Sequence, residues 1–84
     1  MTAVTVRYFA SIREALGAIE TVDVAASSTV GNVRDQLIAR GGAHASALAR
    51  GRALRSALNQ VLCDEAATIG EGAELAFFPP VTGG

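Results

Sequence analysis

Hydrophobic and polar positions fall into short runs whose period changes along the chain. Over residues 4–9, Val4, Val6 and Tyr8 occupy one face while Thr5, Arg7 and Phe9 occupy the other, which predicts a strand with one buried face. Ser11-Ile12-Arg13-Glu14 has the spacing of a capping box, in which a serine hydroxyl bonds a free backbone N–H and a glutamate reaches back. Gly17 suits a left-handed stop, so a short helix is predicted over 11–16. Alternation returns over 21–25, with Val22 and Val24 set against Thr21, Asp23 and Ala25. Two strands joined this closely are expected to pair antiparallel.

Thr29 offers an N-cap, and Val30, Val33, Leu37 and Ile38 recur at three- and four-residue steps. That stripe predicts the main helix over about 30–40, ended by Gly41-Gly42. The Ala-rich stretch 43–53, with Arg50 and Arg52, reads as loop with one helical turn. Residues 55–62 are apolar enough for a third strand. Asp64-Glu65 makes a turn, 67–69 a short edge strand, and Gly70-Glu71-Gly72 a second turn. Residues 74–78 alternate again and read as the last strand. The order predicts an α+β fold: a mixed sheet with one main helix across one face, Val30, Val33 and Leu37 pressed against it. A right-handed crossover would set the strand after the helix parallel to one already in the sheet. No linker or repeat interrupts 1–84, which reads as a single domain with a tail over 79–84.

Composition narrows the function classes. The chain has 84 residues, 50% of them hydrophobic, and a net charge of −1. That balance argues against disorder and against a nucleic-acid groove or an anionic membrane surface. All seven basic residues are arginine; lysine is absent. One cysteine, Cys63, excludes an internal disulfide and fits a reducing compartment. The N-terminal stretch lacks a signal-peptide pattern, and no apolar run approaches the roughly 18 residues needed to span a bilayer. A cytoplasmic location, with neither nucleic acid nor membrane as partner, is the expectation.

The most informative segment is Phe77-Phe78-Pro79-Pro80-Val81-Thr82-Gly83-Gly84. Two prolines remove two N–H donors and fix two φ angles, so the strand should stop there. Pro79 to Gly84 can extend about 20 Å at roughly 3.3 Å per residue. The prolines stiffen its root and lower the entropy lost on docking. Gly83 and Gly84 leave the carboxylate without neighbouring side chains, so it can enter a narrow channel and meet another backbone closely.

The ending FFPPVTGG on a short strand–helix–strand chain resembles the small subunits of molybdopterin synthase, a family of ubiquitin-like β-grasp sulfur carriers. Phe9-Ala10 followed by Arg13-Glu14, Asn59-Gln60, and the run Gly72 to Phe78 agree with it. Ala43 to Arg55 carries the least likeness, and Ala73 stands where relatives often have aspartate. The resemblance implies a β-grasp fold and a carrier mechanism. A terminal carboxylate, ionised at neutral pH with a pKa near 3.5, is a poor electrophile. A ubiquitin-activating-like adenylyltransferase would use ATP to form an acyl-adenylate on Gly84. A sulfur-donor protein would then convert it to a thiocarboxylate. The tail Pro79, Pro80, Val81, Thr82, Gly83 and Gly84 would enter the large synthase subunit and give sulfur to a cyclic pyranopterin. Two loaded carriers in turn would complete the dithiolene, in a heterotetramer with two copies of each subunit. The chain would bind no cofactor or metal, and catalytic acids and bases would sit on its partners. Two alternatives stay open: a carrier for thiamine or cysteine biosynthesis, and a ubiquitin-like protein modifier.

The remaining chemistry-bearing residues read as ordinary. His44 is expected in a solvated loop and Cys63 as a strand-end packing thiol. Asp64-Glu65 is expected to be a solvated turn, and Gly70-Glu71-Gly72 lacks the rest of a phosphate loop. Strand parity adds a docking surface. With the helix over Val4, Val6, Leu75 and Phe77, the residues Phe9, Leu58, Leu62 and Phe78 are expected to gather on the open side as a partner-binding patch, with Arg13 on its rim.

Overall fold

In a computed structural model, which describes residues 1–80, the elements run β1 (Thr2–Tyr8), α1 (Ala10–Leu16), β2 (Ile19–Val24), α2 (Val30–Ile38), α3 (Gly42–Ala47), β3 (Arg55–Leu58), β4 (Val61–Cys63) and β5 (Glu74–Phe78). They form a five-stranded sheet in the order β2-β1-β5-β3-β4. β1 and β2 pair antiparallel, as the short connection requires. β5 lies parallel to β1, and β3 antiparallel to β5. β3 thus runs in the direction of β2, the strand before the main helix. This is the mixed α+β sheet expected from the sequence.

Alternation decides which side of each strand is inside. Val4, Val6 and Tyr8 of β1 and Leu75 and Phe77 of β5 are buried together with Val30, Val33 and Leu37 of α2. The main helix starts where predicted. The Thr29 hydroxyl accepts from the Asn32 N–H (3.1 Å), and the Asn32 side chain accepts from the Thr29 N–H (3.0 Å), satisfying two donors the helix itself leaves free. The box expected at Ser11–Glu14 does not form. α1 begins at Ala10, with Phe9 as N-cap and no side-chain cap, because Phe9 is tied to the sheet by its N–H to the Phe77 carbonyl (3.2 Å). Gly17 does end that helix, at φ 93°.

The third strand differs from expectation. Residues 55–62 are not one strand but a hairpin: the chain reverses at Asn59 and Gln60, with φ of 48° and 70°. Positive φ at both central positions matches the twist of a two-residue hairpin turn. Asn59 fixes it by exchanging two hydrogen bonds with the backbone of Glu74, at 2.8 and 3.0 Å. The reversal changes which residues share a side. Leu58 stands opposite Leu75 and packs against the core, whereas Leu62 stands opposite Ala57, on the side of Ala76. The placement of Leu58 on the open face is therefore corrected. The edge strand expected over 67–69 reduces to a single bridge, Thr29 to Thr68.

Two polar clusters join the helices and loops to one another and to the sheet. Arg34 of α2 is buried, and it donates from Nε to the Leu48 carbonyl (2.8 Å) and from Nη2 to the Ala49 and Arg52 carbonyls (2.6 and 3.0 Å). Its Nη1 meets Glu65 Oε2 at 2.6 Å. Arg50 also bonds Glu65 and Asp35, so Glu65 is a bridge between two arginines and not a solvated turn residue. Burial alone would raise the Glu65 carboxyl, but hydrogen bonds from Arg50 and Arg34 outweigh it and hold it below the usual carboxylate range. In the second cluster His44 lies on α3, not in a solvated loop. His44 Nε2 is 2.8 Å and Tyr8 Oη 2.7 Å from Glu20 Oε2, and Arg40 Nη1 is 2.6 Å from Glu20 Oε1. This ties α3 and the end of α2 to β2.

Burial alone would raise the Glu20 carboxyl. Hydrogen bonds from His44, Tyr8 and Arg40 outweigh it and lower it to about 2 from an ordinary 4.5. A carboxyl depressed in the folded state stabilises fully above its unfolded value, and that stability is lost as pH falls through the folded one. Unfolding free energy should therefore drop between about pH 4.5 and about 2, and Glu20→Gln should flatten that slope in urea titrations across the window. The corrected hairpin makes a second prediction. Leu58→Ala should lower the unfolding free energy by about 1–2 kcal/mol as its core contacts are lost, while Leu62→Ala should change it by less than about 0.5 kcal/mol.

Candidate functional site

The site is built around the end of β5. Leu75 and Phe77 are buried on the helix side, so the alternate residues Glu74, Ala76 and Phe78 face the open side. β1 and β3 flank the strand in register: Arg7 stands opposite Ala76, and Arg55 opposite Phe78. β5 ends at Phe78 and Pro79-Pro80 follow, as their missing donors dictate. Both prolines are half-buried. Val81, Thr82, Gly83 and Gly84, the part of the tail on which the expected chemistry falls, lie outside the described residues.

The open face beside this exit is partly apolar. Phe9 is 40% exposed and meets Phe78 edge-to-face, with ring centroids 6.5 Å apart and planes at 86°. That is a favourable quadrupole arrangement. The Arg7 guanidinium carbon lies 5.7 Å from the Phe9 ring centroid, within cation–π range. Arg7 Nη1 is 3.9 Å from Glu74 Oε2, a largely exposed pair that contributes little to stability. Leu62 is 69% exposed on the same face, two strands from β5, with Ala57 buried between. Arg13 is exposed on α1. Phe9, Phe78 and Leu62 thus share the open side, Leu58 faces the other way, and no contact joins the Arg13 side chain to the patch among the described residues.

Ala57 and Arg55 join this surface beyond the residues expected on it from the sequence. Ala57 is on the open face, opposite Ala76 and Leu62, yet buried there between its neighbours. Arg7 and Arg55 border the strand that leads into the tail. Arg7 lies on the side of Phe9, as strand parity predicts, whereas Arg55 follows only from the register of β3 against β5. Cys63 is half-buried at the end of β4, against the core and 3.8 Å from Ser56 Oγ, the packing position expected. Among the described residues no group of three or more His, Cys, Asp or Glu is arranged to hold a metal ion. Likewise, no described helix is long and apolar enough to cross a membrane.

The arrangement presents the root of the tail at Phe78-Pro79-Pro80. A strand locked on both edges feeds a proline-stiffened segment, beside an aromatic pair with cationic neighbours. Comparison with known proteins agrees with that geometry. Over 81 residues the chain is 40% identical to the molybdopterin synthase sulfur carrier subunit of Escherichia coli K12, covering 96% of this chain and 99% of that protein. It is 42% identical over 81 residues to the protein of the same name in Haemophilus influenzae, covering 94% and 96%. The fold matches the crystal structure of SAMP1 from Haloferax volcanii with a TM-score of 0.77 and 28% identity, covering 98% of this chain and 99% of that one. The sheet and helices are those of a ubiquitin-like β-grasp protein. Residues 6–84 match the ThiS family, and the chain is a member of that family.

Proposed function

We propose that this protein is a sulfur carrier for molybdenum cofactor biosynthesis, the small subunit of a molybdopterin synthase. The observation that carries the reading is likeness from end to end, at 40% and 42% identity, to two proteins named as sulfur carrier subunits of that synthase. Gly84 is the reacting residue. Its carboxylate is adenylated by a ubiquitin-activating-like enzyme with ATP, and adenylate then leaves as sulfur from a donor protein takes its place. The thiocarboxylate passes its sulfur to a cyclic pyranopterin in the large subunit, and the carrier returns as a carboxylate. The chain supplies an atom and a means of aiming it; acids and bases belong to its partners.

Geometry supports that division of labour. A tail rooted in a strand paired on both edges has a fixed origin, and Pro79-Pro80 limit the directions in which it can leave. Phe9, Phe78 and Leu62 supply apolar surface for a partner; a small cluster of aromatic and aliphatic anchors is the usual source of interface energy. We infer that the large subunit and the activating enzyme both meet this side of the sheet, in turn. A two-plus-two assembly with the large subunit and a cytoplasmic location complete the proposal.

A second reading has its own support. The SAMP1 likeness, and a further match at a TM-score of 0.80 to the H. volcanii small archaeal modifier protein 1, are to a protein named as a modifier. The same activated glycine would then be joined to an amine of another protein. The end product separates the readings, because a carrier gains sulfur and is released, whereas a modifier remains attached.

Incubation with the activating enzyme, ATP and a sulfur donor should raise the intact mass by the difference between one sulfur and one oxygen. Removing Gly84 should abolish that gain and molybdopterin formation while leaving the unfolding curve unchanged. An unaltered mass with an enzyme that loads a known carrier, or synthesis surviving the truncation, would refute the proposal.

A further inference from the structure

The exit of β5 is bordered by cations of a single kind. Arg55 stands directly opposite Phe78, and Arg7 opposite Ala76 on the other edge of the strand. Both are exposed. All seven basic side chains of the sequence are arginine and none is lysine. The two cations differ sharply as nucleophiles. A guanidinium remains protonated and offers no lone pair. A lysine ammonium can shed its proton and attack an acyl group as an amine.

We propose that Arg7 and Arg55 are protective residues, supplying positive charge beside the tail root without an amine able to capture an activated Gly84, and that strand topology keeps the Met1 α-amino group out of reach. The proposal rests on the reading that Gly84 becomes activated. The reaction avoided is ordinary acyl transfer. An amine nitrogen attacks the Gly84 carbonyl carbon of an acyl-adenylate or thioester and a C–N bond forms. The C–O bond to AMP, or the C–S bond to the thiol, breaks with its electron pair, and the nitrogen proton goes to solvent. The product is an internal amide, inert to sulfur, and the carrier is lost. A thiol such as Cys63 would give only a thioester, which can still be exchanged.

Reach decides which positions are hazardous. Side chains directly opposite on paired strands have Cβ atoms about 5 Å apart, so position 55 lies at the root itself. Beyond Phe78, Pro79 and Pro80 hold about 6 Å of extended chain at 3.1 Å per residue. The four residues after them span up to about 13 Å, enough chain length to return to the root and meet a side chain at position 55 or 7. Position 23 is different. Asp23 pairs with Ala3, whereas Tyr8 pairs with Phe77. Asp23 is therefore about 20 Å down the sheet from the root at Phe78 and, two strands across, about 10 Å to the side. Met1 precedes Thr2, the first residue of β1, at this same far end, because β1 and β5 are parallel.

The test installs the activated carboxyl chemically, so it does not depend on any enzyme. The wild-type chain, Arg55→Lys, Arg7→Lys and the distal control Asp23→Lys are each prepared as a Gly84 thioester by cleaving an intein fusion with a small thiol. They are held at a mildly alkaline pH (about 8), where a fraction of lysine side chains is unprotonated, and followed by intact mass. Melting curves of the carboxylate forms establish that each is folded. The wild type and Asp23→Lys should only hydrolyse. Arg55→Lys and Arg7→Lys should yield a product lighter than the free acid by one water, mapping to an amide between Gly84 and the new lysine. Thioester loss should be about tenfold faster, as expected for an intramolecular amine. An internal amide in either folded arginine variant, with none in Asp23→Lys, supports the proposal. Hydrolysis at the wild-type rate in both arginine variants overturns it, as does cyclisation of the wild type through Met1 or equal cyclisation of Asp23→Lys. Failure here concerns reach and reactivity, while failure to form a thiocarboxylate with the activating enzyme concerns the carrier reading itself.

Discussion

β5 can have only one position in this sheet, and the rest of the molecule follows from that. Its two inward side chains, Leu75 and Phe77, are completely buried, and its two edges are taken by β1 and β3. Burial of large apolar side chains is the dominant favourable term in folding. A strand paired on both sides also leaves no free edge for slippage or exchange. The same alternation that locks Phe77 inward turns Phe78 outward, so the last residue before the prolines contributes to the surface and not to the core. A tail attached here begins from a fixed point with a fixed aromatic neighbour.

The elements around β5 are held differently. α3 and the loop before β3 bury Ala47 and Leu48 in the core, and charged hydrogen bonds add to that hold. Arg34 collects three backbone carbonyls and one carboxylate, and Glu20 collects Tyr8, Arg40 and His44. Buried polar groups of this kind are costly unless each partner is satisfied. Here they fix the backbone of a segment whose main apolar anchor is Leu48. Both clusters lie on the helix side of the sheet, Glu20 standing opposite the buried Val6, and leave the open face to other contacts.

Much of this was legible in the sequence because it depended on local periodicity. The alternation of Val4, Val6 and Tyr8, the stripe Val30-Val33-Leu37 and the cap at Thr29 each specify their own element, and the structure agrees. What escaped notice depended on partners distant in sequence. Asn59-Gln60 lacks the glycine that usually marks a two-residue turn; its positive φ values are supported by Glu74, fifteen residues on. Reading straight through it put Leu58 on the wrong side. His44 and Glu65 looked solvated because their partners, Glu20 and Arg34, lie 24 and 31 residues away. For the site, the apolar members Phe9, Phe78 and Leu62 followed from parity, while Arg55 emerged only from the register of β3 on β5. The terminal glycine motif was plain from the outset, since its chemistry requires no fold at all.

On the proposed function the protein is a reagent consumed once per sulfur and then reloaded. Single-turnover transfer tests this most directly: carrier loaded as the Gly84 thiocarboxylate is mixed with the large synthase subunit and a cyclic pyranopterin. Intact mass then counts thiocarboxylate lost while the dithiolene product is quantified. The account predicts that two carriers revert to the carboxylate for each dithiolene formed. Dithiolene formation with the thiocarboxylate count unchanged would contradict it.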